Sequence, residues 1–466
     1  MATYKLAPDV VRKPGPIVVG DPAERGVDRI LVGQSAEAGP FRDVWLDATG
    51  EQVVAVFGKR GTGKSYSLGV LLEGLAAGSG NSKIAHLETP RGALVLDIMD
   101  IFWTSTLPLA EDGPPEISKQ FKVMKKRGFS PTPLNVDLWI PAGFERSEID
   151  PPGIRTLAIS PASLSLDDWG SLFEVDIYAE PRGMLIADAI QHVSSEGYTR
   201  TDGANVSPNQ QFTLPEVLDC LGNDVDLISN YQDTTLRSIR QRMATYAALP
   251  LFQGDGTPLG EVIRAFRVSI LMLGRVPDAL KRVIVAALVR QILRIRRDVS
   301  FAQKRLELDS SLSSDERGSI QQFVKTGLPR TWVLMDEAHI LVGSGQSSVA
   351  SGALIKYAKE GRNFGLSLAV ATQQPSALDP GLLSQVETLI LHQLTAPHDA
   401  SIAAKGIRSP APSSIQVDGE NTDIEGLLRR LGQGEALFSC GNAPSLQRSC
   451  VLRVRPRVTA HGGYEA

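Results

Sequence analysis

Gln52-Val-Val-Ala-Val-Phe57 runs into Gly58-Lys-Arg-Gly-Thr-Gly-Lys-Ser65 and then Tyr66-Ser-Leu-Gly-Val-Leu-Leu-Glu-Gly-Leu75, and this stretch decides the fold. A short apolar run bounded by turn residues predicts a buried strand, the glycine-rich octet satisfies GxxxxGK[ST] in full, and the run after it predicts a helix. Glycines at 58, 61 and 63 let backbone N–H groups turn inward around a β-phosphate. Lys64 is placed to reach the β- and γ-phosphates, and the Ser65 hydroxyl to ligate a cation at the helix N-terminus. The expected cradle is Gly58, Lys59, Arg60, Gly61, Thr62, Gly63, Lys64, Ser65 and Tyr66, and the expected ligands are ATP and Mg²⁺.

Working outward, Ala93-Leu-Val-Leu-Asp97, Val333-Leu-Met335 and Leu366 to Ala371 repeat the buried-strand pattern, each followed by a polar or turn residue. With helical stretches at 277–297 and 351–361, they predict an α/β fold: a mostly parallel sheet flanked by helices, of RecA-like P-loop type, with a largely helical insert. Trp332-Val-Leu-Met335 delivers Asp336 and Glu337 to a strand's C-terminal end, where open α/β sheets bind ligands. Asp336 is expected to hold Mg²⁺ through water and Glu337 to polarise the attacking water as general base. Gln373, after the strand ending at Ala371, is the expected contact to the γ-phosphate or its water. Arg362, in Glu360-Gly-Arg-Asn-Phe-Gly365, is a candidate to stabilise phosphoryl charge in cis or in trans. His339 reads as a packed side chain or a subunit contact rather than a catalyst.

The 466 residues are divided here into an arm or reduced barrel (1–50), a first core part with the P-loop (51–105), an insert (106–265), a second core part (266–457) and a tail (458–466). The clearest helix runs from Asp278 to Arg297, with Lys281, Arg282, Arg290, Arg294, Arg296 and Arg297 on its polar face. Residues 306–328 read as an excursion, and Arg448, Arg453, Arg455 and Arg457 as a set facing DNA or, more commonly for alternate arginines, the solvent face of a strand. With 48 Lys and Arg against 52 Asp and Glu, a formal net charge of −4, any nucleic-acid contact must be local. Three cysteines, with no Cys/His pair at zinc spacing in the sequence, exclude a disulfide framework and fit a reducing cytoplasm. No apolar stretch is long enough to span a membrane.

Gly58 to Ser65, Met335-Asp-Glu-Ala-His339, Glu360-Gly-Arg-Asn-Phe-Gly365, Ala371-Thr-Gln-Gln-Pro-Ser376 and Leu382-Leu-Ser-Gln385 together resemble the HerA branch of the HerA/FtsK superfamily. Leu431-Gly-Gln-Gly-Glu435 and Val451-Leu-Arg-Val-Arg455 are similar to that family's closing strands. The resemblance implies a homo-oligomeric ring, usually a hexamer, that hydrolyses ATP between subunits while moving along or unwinding double-stranded DNA. It implies a nuclease or other effector as partner, in DNA processing or antiphage defence. Three departures stand out: too few residues before the P-loop for the family's N-terminal barrel, Ile98-Met-Asp100 in place of a Pro-His-Gly-Glu-like run, and Gln374 where an Arg often follows. Two other readings stay open, an ATP-dependent regulatory scaffold with little translocation and a DNA pump of the FtsK or conjugative-secretion type.

Overall fold

The computed structural model describes residues 2–7, 15–20, 28–345, 348–407, 412–441 and 449–463. Eight parallel strands form its centre, in the order Arg155–Leu157, Val136–Pro141, Val268–Met272, Arg91–Asp97, Arg330–Met335, Leu366–Thr372, Val53–Phe57 and Thr388–Leu391. Glu435–Cys440, Ser449–Val454, Arg29–Ser35 and Asp43–Asp47 continue the sheet antiparallel, and Ile17–Val19 closes its edge. Every residue of Val53–Phe57, Arg91–Asp97 and Leu366–Thr372 is buried, as continuous apolar runs require when helices cover both faces. Lys64–Ala76 covers one face, while Asp278–Leu308 and Val349–Glu360 pack together on the other.

Of residues 1–50, read as an arm or reduced barrel, Arg29–Ser35 and Asp43–Asp47 lie in the main sheet, and Tyr4–Ala7 pairs with Ser414–Val417. The span 106–265 contributes Val136–Pro141 and Arg155–Leu157 to the sheet, and its helical body lies at Leu166–Phe173, Pro181–Gln191, Leu214–Asn223 and Asp233–Ala247. The long helix continues from Asp278 to Leu308. Two residues assigned to its polar face are buried: Lys281, and Arg296, which donates to the carbonyls of Phe364 and Leu328. Leu328 lies in a connecting segment and Phe364 ends a 3-10 turn, so neither carbonyl is in a sheet ladder, and a guanidinium fork supplies the donors. The excursion at 306–328 holds a further helix, Ser314–Thr326, whose start carries a capping box between Ser313 and Glu316.

The larger correction concerns the C-terminal arginines. Arg455 and Arg457 are not a solvent face; both are 1% exposed and close on Glu73, which is fully buried in the P-loop helix. Glu73 accepts from Arg455 at 2.7 Å, from Arg457 at 3.1 Å, and from the Val458 and Thr459 amides and the Thr459 hydroxyl. Burial alone would raise its carboxyl pKa, but the two guanidiniums and Thr459 outweigh that and hold it below the usual range. Residues 458–463, set apart as a tail, are thus pinned to the core, whereas Arg448 lies outside the described residues.

Candidate nucleotide-binding and hydrolysis site

Gly58 to Gly63 link the C-terminal end of Val53–Phe57 to the helix starting at Lys64. Gly63 sits at φ 117°, and a Cβ there would stand 3.3 Å from the His392 ring; a Cβ at Gly58 would lie 2.6 Å from that of His392. Only glycine lets the loop wrap so closely. Thr62 is buried, its hydroxyl donating to the Lys59 carbonyl at 2.8 Å, while Lys59 and Arg60 are exposed. Gly434 and Gln433 hold the loop from outside, donating to the Thr62 and Gly61 carbonyls.

His392, which the sequence reading missed, is the buttress beneath this loop. It is fully buried; one ring nitrogen lies 2.8 Å from the Ser67 hydroxyl and the other 2.9 Å from the Glu435 carbonyl. Burial pushes its pKa down to about 4, with Lys64 adding to the effect against the Glu435 carbonyl, so the ring is neutral near pH 7. A signal was available: Thr388–Leu391 is an apolar run ending in a polar residue, like those ending at Asp97, Asp336 and Thr372.

Two strands from the P-loop strand, Arg330–Met335 brings Asp336 and Glu337 to the same edge of the sheet. Asp336 is buried, and its carboxylate accepts from the Glu337 amide at 2.8 Å. Glu337 takes a left-handed backbone (φ 47°), a strained conformation for a non-glycine residue that recurs at working sites. Its carboxylate stands 3.7 Å from Lys64 Nζ and 3.4 Å from His339 Nδ1, yet its buried Oε2 makes no hydrogen bond. His339 also lies 3.1 Å from the Thr372 hydroxyl, bridging the acidic strand end to its neighbour. Next to Asp336, burial pushes the Asp97 carboxyl up to about 7, against the amides of Phe102 and Ile101 and with help from Asp100 and Asp336.

The structure brings Lys64, Ser65, Asp336, Glu337 and Gln373 to one end of the sheet; Gln373 directly follows the strand Leu366–Thr372 and is half-buried. Arg362 is elsewhere. It precedes Leu366 at the opposite end of that strand, about 20 Å away at ~3.3 Å per residue, 60% exposed and paired with Glu387 at 3.0 Å. Beside the loop, a cavity of about 840 Å³ lies between the helix Pro115–Lys126 and the segment 453–463, lined by Tyr66, Val123, Arg127, Pro456 and His461 among others. Tyr66 accepts from the Arg457 amide at 2.7 Å and meets the His461 ring edge-on at 5.1 Å. The donor set fits the expected ligands: a glycine cradle and Lys64 suit phosphates, and the hard oxygens of Ser65 and Asp336 suit Mg²⁺.

A parallel sheet with a glycine-rich phosphate loop at the C-terminal end of one strand, and an Asp-Glu pair at the end of the next but one, defines a P-loop nucleoside triphosphatase fold of RecA type. The family model described as the central domain of helicase HerA matches residues 43–292, more than half of the 466, and the chain belongs to that family. It is 29% identical over 181 residues to the DNA double-strand break repair helicase HerA of Pyrococcus furiosus, an alignment covering 38% of this chain and 31% of that protein. To the HerA of Sulfurisphaera tokodaii it is 22% identical over 248 residues, covering 52% and 45%. The chain thus spans less than half the length of these relatives. Among solved structures, VirB4 of Thermoanaerobacter pseudethanolicus aligns at 15% identity over 96% of this chain and 98% of that one, with a TM-score of 0.48.

Proposed function

We propose that this chain is the ATP-hydrolysing motor of a DNA-processing machine, working as a homo-oligomeric ring, a hexamer in our reading, on double-stranded DNA. The observation that carries the ATP hydrolysis is the Lys64–Glu337 approach of 3.7 Å, which sets a phosphate-binding cation against a carboxylate with an unbonded oxygen, while the ring and the DNA rest on the family. Lys64 and the loop amides bind and orient the phosphates, and Ser65 and Asp336 hold Mg²⁺, which when bound neutralises phosphate charge. Glu337 accepts a proton from the attacking water, oriented by His339 from Thr372. Gln373 is placed to contact the γ-phosphate side, and the Tyr66–His461 cavity receives the nucleoside.

Arg362 lies at the far end of the sheet from this chain's own site, so in this reading its guanidinium acts in trans, on the nucleotide of a neighbouring copy in the ring. A cytoplasmic setting and a nuclease or effector partner, in DNA repair or antiphage defence, complete the proposal. Among the described residues no helix is long and apolar enough to cross a membrane. The test is ATP turnover with and without duplex DNA, strand displacement, and images of the assembly with ATP. Duplex-stimulated turnover by a DNA-threaded ring is the expected result. Turnover indifferent to DNA, with no strand displacement, overturns the motor in favour of an ATP-dependent scaffold.

A further inference from the structure

Outside the nucleotide site, the helical body of residues 166–252 holds a second cluster of reactive side chains. Among the described residues, His192, Cys220 and Asp224 offer one nitrogen, one sulfur and one oxygen, all within 4.8 Å of one another. Cys220 and Asp224 lie one helical turn apart and are fully buried, with Cys220 Sγ 3.6 Å from Asp224 Oδ2. His192 comes from another element, a π-helical turn at His192–Glu196, and its Nδ1 stands 2.6 Å from the same Asp224 oxygen. Single π turns of this kind are frequent at functional sites.

The company Asp224 keeps distinguishes it from other buried carboxylates here. Glu73 is met by Arg455 and Arg457, Asp28 by Arg91, and Asp168 by Arg290. Asp224 pairs with no Lys or Arg among the described residues; its Oδ1 caps the helix Val225–Asn230, accepting from the Asp226 amide at 2.9 Å, while its Oδ2 faces the imidazole and the thiol. A buried carboxylate needs compensating charge, which either His192 as an imidazolium or a cation bound among the three donors would supply. We propose that His192 Nδ1, Cys220 Sγ and Asp224 Oδ2 bind a divalent cation of the zinc class, clasping the π turn to the helix Leu214–Asn223.

The donor chemistry selects that class. Mixed sulfur, nitrogen and oxygen ligands suit tetrahedral zinc, at roughly 2.0–2.3 Å from each donor, and do not suit Mg²⁺ or Ca²⁺. On binding, the Cys220 thiol gives its proton to solvent. The Nδ1 proton now shared with Asp224 is replaced by one on Nε2, where Glu196 Oε2 waits 3.7 Å away. A ligating imidazole with its other nitrogen turned to a carboxylate is the usual outer-shell arrangement in zinc sites. Water fills the fourth position. In the sequence these residues are too far apart to form a zinc spacing; only the packing of the helices brings them together.

The test uses the full chain, purified through a tag without histidines from zinc-supplemented cells, with metal content measured by mass spectrometry. Expected are about one zinc per chain and, on exchange with cobalt, a thiolate-to-cobalt charge-transfer band. Cys220→Ser should remove the band and lower zinc affinity more than about 10-fold, and Glu196→Gln should lower it by about 10-fold, both with ATP turnover unchanged. Zinc below about 0.1 per chain after dialysis against the metal, or a cobalt form of the unaltered chain without the thiolate band, overturns the proposal whether or not the variants fold.

Discussion

Glu73 and Glu337 lie near the two ends of one helix, Lys64–Ala76, and meet opposite fates. Glu73 is saturated: two guanidiniums, two amides and a hydroxyl converge on it out of reach of water. Glu337 is left open, with strained backbone, a lysine at 3.7 Å and one buried oxygen unbonded. The unbonded oxygen of Glu337 lies on the carboxylate that faces Lys64, where the proposed mechanism puts the attacking water. Glu73 uses its oxygens to hold the fold, whereas Glu337 keeps one for the proposed chemistry.

The sharpest way to break this contrast is to neutralise the open carboxylate. Glu337→Gln should leave ATP bound and reduce turnover by about 10²–10⁴-fold, whereas Lys64→Ala should lose binding itself. Paired nucleotide-binding and hydrolysis assays decide it, and a Glu337→Gln chain hydrolysing at the unaltered rate would remove Glu337 as general base. At the saturated end the effect falls on stability. Glu73→Ala strands two buried arginines and should cost about 3–5 kcal/mol, read from denaturant midpoints. Replacing Glu73, Arg455 and Arg457 together with apolar residues should recover most of that loss, since the penalty lies in unpaired charge.

Protonation of His392 sharpens the comparison from a third position. Its folded pKa, about 4, lies below the ordinary 6.5, so the unfolded chain takes up the proton first. Stability from this group is complete above about pH 6.5 and is lost as pH falls toward about 4, up to about 3 kcal/mol. A His392→Asn chain should lack that share of the acid dependence in parallel unfolding curves at pH 7, 6 and 5. The smallest effect on stability is expected at the exposed Arg362–Glu387 pair. Arg362→Ala should move stability by no more than about 1 kcal/mol, while turnover in the assembled protein falls about 10³-fold or more. Unchanged turnover would take Arg362 out of the mechanism.

Much of this contrast was legible in the sequence. The glycine octet and the Asp-Glu pair at a strand end announced the phosphate cradle and the acidic partner, because their chemistry depends on local order. The length of Asp278–Leu308 was under-read because the helix outruns its apolar stripe, and Ser314–Thr326 was passed over although Ser313 and Glu316 spell its capping box. Long-range pairings were hidden for a different reason. Nothing near Glu73 announces Arg455, 382 positions away, and alternate arginines on a strand look alike whether they face water or a buried carboxylate. The His192–Cys220–Asp224 cluster was invisible on the same ground.

That separation of 382 positions has a consequence for how the protein is born. At roughly 5–20 residues per second, translation leaves Glu73 without Arg455 for about 20–80 s. Through that interval the P-loop helix carries a carboxylate it cannot bury, and the strand order of the sheet is equally incomplete. The phosphate cradle is therefore among the first chemistry to emerge from the ribosome and among the last to become rigid. The cavity beside the phosphate loop is likewise unfinished until Pro456 and His461, which line it, have been made.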